Sequence, residues 1–182
     1  MKPHTTPNSF LLEGLSTKRL LFRKVQPSDF DAWLPFHEDP ESSKYWVGLP
    51  KDPRVACQQQ FDRIFERYEK GLGGMNALIL KTTGELVGLS GMLVQQVDDK
   101  QELEIAYSIL PKFWNNGFAS EAASLCKTNA FIKDWAETLI SIIQVDNIPS
   151  QKVALKNGMH VLKRTVYNNN PVYIYGIHKN LE

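Results

Sequence analysis

The chain has 182 residues, a length that suits one domain, and its 21 Lys and Arg against 20 Asp and Glu leave a formal net charge of +1. That balance creates no strong field toward nucleic acid or an anionic membrane, and 42% hydrophobic with 23% charged residues is the composition of an ordinary globular protein. Cys57 and Cys126 are too few for a disulfide framework, no Cys/His group has zinc-ligand spacing, and no apolar run reaches the roughly 20 residues of a membrane span, so a cytoplasmic protein without a metal is expected.

In chain order, residues 1–15 read as a leader ahead of one domain over residues 16–182. Leu20 to Val25 predicts a strand. Pro27-Ser28-Asp29-Phe30-Asp31 then predicts a helix start with Ser28 as N-cap, continued by Phe30, Trp33, Leu34 and His37 at helical spacing, with Pro35 early in it or kinking it. Residues 38–53 carry Pro40, Gly48, Pro50 and Pro53 and read as an irregular loop. A second helix is expected from Arg54 to Lys70, with Phe61, Ile64, Phe65 and Tyr68 as its buried stripe and Gly71 as its stop. Gly71-Leu72-Gly73-Gly74 follows a helix rather than a strand, so it predicts a flexible connector and no dinucleotide loop.

The period then changes. Ala77–Leu80 and Leu86–Leu89 flank Thr82-Thr83-Gly84-Glu85, a hairpin signal, and a further strand runs from Glu102 to Leu110. Residues 118–132 predict a helix with Ala119, Ala123, Cys126 and Ala130 on one face. A buried strand over Leu139 to Val145, a short helix over Pro149 to Lys156, and two strands around Val161–Tyr167 and Val172–His178 complete the chain. The fold class is α/β, an α+β mixed sheet in a single domain.

Two segments stand out chemically. Leu110-Pro111-Lys112-Phe113-Trp114-Asn115-Asn116-Gly117-Phe118-Ala119-Ser120-Glu121 is a strand end, a Gly turn and a helix start, a junction whose free N–H groups suit a phosphate. Asn147-Ile148-Pro149-Ser150 heads the next helix, which closes at Asn157-Gly158; by themselves these residues equally well cap and end it. Glu104 sits in an apolar strand, where a carboxylate is costly unless paired or facing water. His4, His37, His160 and His178 are dispersed and suggest no catalyst, and Cys126 reads as packing.

With Thr17-Lys18-Arg19-Leu20-Leu21-Phe22-Arg23 and Glu104-Ile105-Ala106-Tyr107-Ser108-Ile109 added to those two segments, the chain resembles the GNAT superfamily of acyl-CoA N-acyltransferases, specifically its ribosomal-protein N-terminal (alanine/serine) acetyltransferase branch, over residues 16–180. The resemblance implies a mixed, splayed central sheet flanked by helices. It implies acetyl-CoA as co-substrate, with the pyrophosphate on the loop Asn115, Asn116, Gly117, Phe118 and Ala119, and the pantetheine arm along Ser108, Ile109 and Leu110 and against Asn147. Superfamily members often begin that loop with Gln or Arg; Trp114 stands there in this chain, as in the ribosomal-protein branch.

The implied reaction is acetyl transfer to a primary amine by direct attack in a ternary complex. The favoured acceptor is a protein or peptide N-terminal α-amine; a polyamine or aminoglycoside acceptor, and a non-catalytic acyl-CoA-binding module, are the alternatives. Glu104 is the implied proton acceptor, and Ser150 matches a serine near the thioester sulfur. The superfamily's usual helix tyrosine falls on Ala154, which leaves Ser150, Tyr107 or water to protonate the thiolate. Tyr45 to Pro50 and Asn168 to Pro171 are expected to shape the acceptor groove. No nucleic-acid or membrane partner is expected, and both a monomer and a homodimer fit.

Overall fold

A computed structural model describes residues 10–180. Seven strands form one mixed sheet in the order β1-β2-β3-β4-β5-β7-β6. They are β1 (Leu20–Lys24), β2 (Gly73–Leu80), β3 (Leu86–Val97), β4 (Lys100–Ile109), β5 (Thr138–Gln144), β6 (His160–Tyr167) and β7 (Asn170–His178). All neighbours are antiparallel except β4 and β5, which are parallel and paired only at Leu103 with Leu139 and Glu104 with Ile140. Past Glu104 the two strands part, and the sheet opens there.

Helices cover both faces. α1 (Phe30–Glu38), the single turn α2 (Pro40–Ser43) and α3 (Pro53–Lys70) lie on one side, where Trp33, Phe36, Phe61 and Ile64 pack with Met75, Ala77 and Leu89. On the other side α4 (Phe118–Ile132) sets Ala122, Ala123, Cys126 and Ala130 against Leu78, Met92, Leu103 and Ile105, and α5 (Ile148–Lys156) adds Ala154. The alanine face of α4 lets the helix lie close to the sheet. Burial pushes the Cys126 thiol up to about 12 and the Cys57 thiol up to about 11, which leaves both as uncharged packing groups.

Four local expectations change. Ser28 does not cap α1: a short 3-10 turn (Pro27–Asp29) precedes it, and the Asp29 carboxylate accepts from the Gln26 N–H at 2.8 Å while Arg23 grips it with two bonds of 2.7 Å. A bidentate arginine orders this corner more strongly than a serine hydroxyl would. The loop over residues 38–53 contains α2, capped by Asp39. Gly73 and Gly74 are buried strand residues with no flexibility to spare, since a Cβ on Gly73 would lie 1.9 Å from the Met92 carbonyl oxygen.

The leader expected over residues 1–15 ends differently in its described part. Leu12 is fully buried, its N–H donates to Asn76 Oδ1 at 3.3 Å, and Phe10 meets Trp135 edge-on. Leu12 therefore belongs to the core, with Phe10 and Leu15 packed against it, while residues 1–9 lie outside the described residues.

Candidate active site

The parting of β4 from β5 creates the site. Along β4, Leu110 N–H donates to the Val87 carbonyl on the β3 side, whereas the Ile105 carbonyl accepts from Ser141 Oγ at 2.7 Å on the β5 side. Strand alternation then turns the backbone groups of Tyr107 and Ile109 into the opening and those of Ser108 toward β3. The Ile109 carbonyl is taken by Trp114 Nε1 at 2.8 Å. Two cavities meet at this gap, one of about 580 Å³ on the α3 side and one of about 670 Å³ toward α4 and α5. Tyr107, Ser108, Asn147 and Ser150 line both.

The α4-side cavity runs from the gap to the start of α4. Asn115 (φ 61°) and Gly117 (φ 77°) adopt left-handed conformations, and the backbone turns sharply into the helix. The loop is braced from outside: Arg19 donates to the Asn116 carbonyl at 2.9 Å and stacks over the Phe118 ring. Glu121, in the first turn of α4, accepts from Thr17 Oγ1 at 2.5 Å and from Arg19 N–H and Nε at 3.0 and 2.7 Å. Burial works to raise the Glu121 carboxyl, but those bonds outweigh it and hold it below the usual carboxylate range. The paired Glu121 therefore leaves the helix start electropositive, with Lys152 and Lys156 facing it from α5.

The α3-side cavity has Glu104 in its wall. The side chain is 8% exposed; its Oε2 accepts from Gln95 Nε2 at 2.8 Å and its Oε1 from the Ile142 N–H at 3.4 Å across the gap. Gln95 is fixed in orientation because its own Oε1 accepts from Arg67 at 3.0 Å and from Tyr167 OH at 2.9 Å. Burial pushes the Glu104 carboxyl up to about 7, with the Gln95 and Ile142 bonds and the Arg67 charge opposing the rise. A carboxyl that titrates near neutrality and borders a cavity is suited to accept and release protons. The rim is tied across: Asn170 Nδ2 donates to the Tyr45 carbonyl at 2.8 Å, joining the β6–β7 turn to the loop after α2.

The family model for the acetyltransferase (GNAT) domain matches residues 19–160. This chain belongs to the GNAT acetyltransferase family. It is 34% identical over 139 residues to the uncharacterised Bacillus subtilis protein YkkB, covering 75% of this chain and 78% of the relative. It is 28% identical over 177 residues to the uncharacterised N-acetyltransferase YoaA of Bacillus subtilis, covering 91% and 96%. Its fold superposes with a TM-score of 0.69, at 16% identity over 91% of this chain and 97% of the other, on the ribosomal-protein α-N-acetyltransferase RimL solved in complex with coenzyme A.

GNAT acetyltransferases use acetyl-CoA, and the α4-side cavity fits that molecule on its own chemistry. The first-turn N–H groups of α4 have no helical partner, the loop before them is tightly turned, and an open β4 edge leads from there to Glu104. Among the described residues no group of His, Cys, Asp and Glu could hold a metal ion, and no helix is long and apolar enough to cross a membrane.

Of the site residues expected for a GNAT enzyme, Ser108, Ile109, Asn115, Gly117, Phe118, Ala119, Asn147 and Ser150 line the α4-side cavity, and Glu104 lines the other. Leu110 is buried in the α1–α3 core, with its N–H spent on β3. Asn116 holds the loop from within, its Nδ2 donating to the Phe113 and Trp114 carbonyls at 3.0 and 2.9 Å. Asn147 caps α5, its Oδ1 accepting from Ser150 N–H at 3.2 Å, and Asn157 ties α5 to α4 through the Ser120 carbonyl. Gln95, Arg67 and Tyr167 were not expected; an Arg on the polar face of a helix and a Gln near a strand end carry no mark of their convergence.

Proposed function

We propose that the protein acetylates the N-terminal α-amine of a peptide or protein, with Glu104 as the proton acceptor. Acetyl-CoA, when bound, supplies an acetyl group activated as a thioester, open to direct attack by the amine in a ternary complex. The observation that carries the reading is the meeting of the two cavities at Tyr107, Ser108, Asn147 and Ser150, with a buried carboxyl titrating to about 7 beside the junction.

Glu104 takes a proton from the incoming ammonium. Gln95 and the Ile142 N–H occupy one position on each carboxylate oxygen, which leaves further acceptor positions on a side chain that borders the cavity. An α-amine near pKa ~7.8 matches a base near 7 far better than a lysine near ~10.4, which is the physical ground for preferring an N-terminus. The open backbone of Tyr107 and the N–H of Ile109, whose carbonyl is taken by Trp114, hold the pantetheine arm in the manner of an added strand and offer N–H groups to developing negative charge. Gly117, Phe118 and Ala119 carry the pyrophosphate on their backbone, with Asn147, which lines both cavities, beside the arm.

Ser150 Oγ donates toward the leaving sulfur. Tyr107 is the weaker candidate, because its hydroxyl already donates to the Ser150 carbonyl at 2.8 Å, and burial raises its pKa well above the ordinary tyrosine value. Ala154, in the slot usual for a tyrosine, is 1% exposed and belongs to the core.

The test is a matched peptide pair with the same internal Lys, one with a free N-terminus and one blocked. Acetylation of the free peptide alone, at the N-terminus by mass spectrometry, is the expected result. Transfer to the internal Lys of both, or a kcat/KM for spermidine tenfold above every peptide, overturns the reading.

A further inference from the structure

The α3-side cavity carries an unbalanced charge. Of the residues lining it, Glu104 is the sole acid, whereas α3 contributes two cations, Arg63 and Arg67. They stand four residues apart on α3, on one face and about 6 Å apart along the axis. Arg67 is already engaged: its guanidinium donates to the Leu72 and Val94 carbonyls at 3.2 and 3.0 Å and to Gln95 Oε1, acceptors without formal charge. Arg63 is exposed, and among the described residues it makes no ion pair and no side-chain hydrogen bond. Gln59 and Gln60 continue the same wall without supplying a counter-charge.

We infer that Arg63 selects acceptors that carry an anion near the reacting amine, which for a peptide means an acidic side chain at the second or third residue. This rests on the acceptor reading above. An amine placed at Glu104 lies beside the Gln95–Arg67 chain, and Arg63 stands one helical turn further along the same wall. An extended peptide advances about 3.3 Å per residue, so its second or third side chain reaches that turn. There a carboxylate finds a guanidinium with all of its donors free. A polyamine meets the reverse situation, since its second ammonium faces two arginines.

The experiment uses three amidated hexapeptides with a free N-terminal Ser, identical except for Glu, Gln or Lys at positions two and three. The wild-type enzyme is expected to favour the Glu peptide over the Gln peptide at least tenfold in kcat/KM, a difference of about 1.4 kcal/mol carried mainly by KM. That preference should shrink as ionic strength rises, because Arg63 is exposed. Arg63→Gln should bring the Glu/Gln ratio close to one, and Arg63→Glu should favour the Lys peptide, with thermal unfolding checking that both variants fold. Equal wild-type use of the Glu and Gln peptides, or a ratio unmoved by Arg63→Gln, overturns the inference.

If no peptide is acetylated, the peptide reading fails separately. An ω-amino acid and its carboxamide then replace the hexapeptides. An Arg63-dependent preference for the carboxylate supports the inference there, and lack of one, or of any turnover, overturns it.

Discussion

On the α4 side of the sheet, the features that suit the co-substrate are main chain: an unpaired stretch of β4, two left-handed turn residues and the first turn of a helix. On the α3 side the corresponding features are side chains held by other side chains, Glu104 by Gln95, and Gln95 by Arg67 and Tyr167. A backbone site tolerates many sequences provided its shape survives, whereas a side-chain site can be retuned one residue at a time. The first suits a co-substrate common to a whole family, and the second an acceptor that differs among its members.

The difference can be broken most severely at Glu104. Glu104→Gln should retain acetyl-CoA affinity by calorimetry and lower kcat by about 10²–10⁴, the usual scale of general-base assistance. The wild-type pH profile should rise through about 7 as the carboxyl ionises, and that limb should vanish in the variant. Only the acceptor's own ionisation near ~7.8 would remain, so activity should partly recover at high pH. Wild-type turnover at neutral pH would remove Glu104 from the mechanism.

A break on the backbone side should affect the other substrate. Gly117 has φ 77°, and it lines the cavity together with Phe118, Ala119 and Ser120 of the first turn of α4. Gly117→Val puts a β-branched side chain at a left-handed φ and toward the Arg19 guanidinium that braces the loop, so acetyl-CoA affinity should fall at least tenfold by calorimetry, about 1.4 kcal/mol. Unchanged affinity in a folded variant would overturn the phosphate-loop assignment.

The smallest effect sharpens the comparison further. Gln95→Leu removes a hydrogen bond that holds the Glu104 carboxyl down, so the activity limb should move to higher pH, with kcat/KM at pH 7 about fivefold lower. A purely structural role for Gln95 would lower activity without moving the limb. The pH profile separates the two.

How far the sequence reveals these two regions follows the same division. Helix and strand positions along β2–β4, α3 and α4 were legible because apolar spacing reports which face is buried, and the turn into α4 was legible because its left-handed backbone calls for Gly117. The pairing of Thr17 and Arg19 with Glu121 explains why the two motifs containing them matter together, which no local pattern states. Gly73 and Gly74 misled because a glycine that admits a neighbouring backbone looks the same in one dimension as a glycine in a hinge. Arg63, Arg67 and Gln95 stayed hidden for a physical reason: on a solvent-facing helix stripe or near a strand end, polar residues are unremarkable until tertiary folding brings them into the wall of one cavity.

The burial of Glu104 also bears on proton linkage. Its carboxyl ordinarily titrates near 4.5 and in the fold near 7, so the folded chain holds this proton over a range in which the unfolded chain has released it. The contribution of this group to stability is therefore complete below about 4.5 and is lost as pH rises through about 7, on the order of 3 kcal/mol once the carboxylate is fully formed. The ionised state that can accept a proton is the state the fold resists, and between these pH values Glu104 makes the protein less stable as it becomes more able to act as a base.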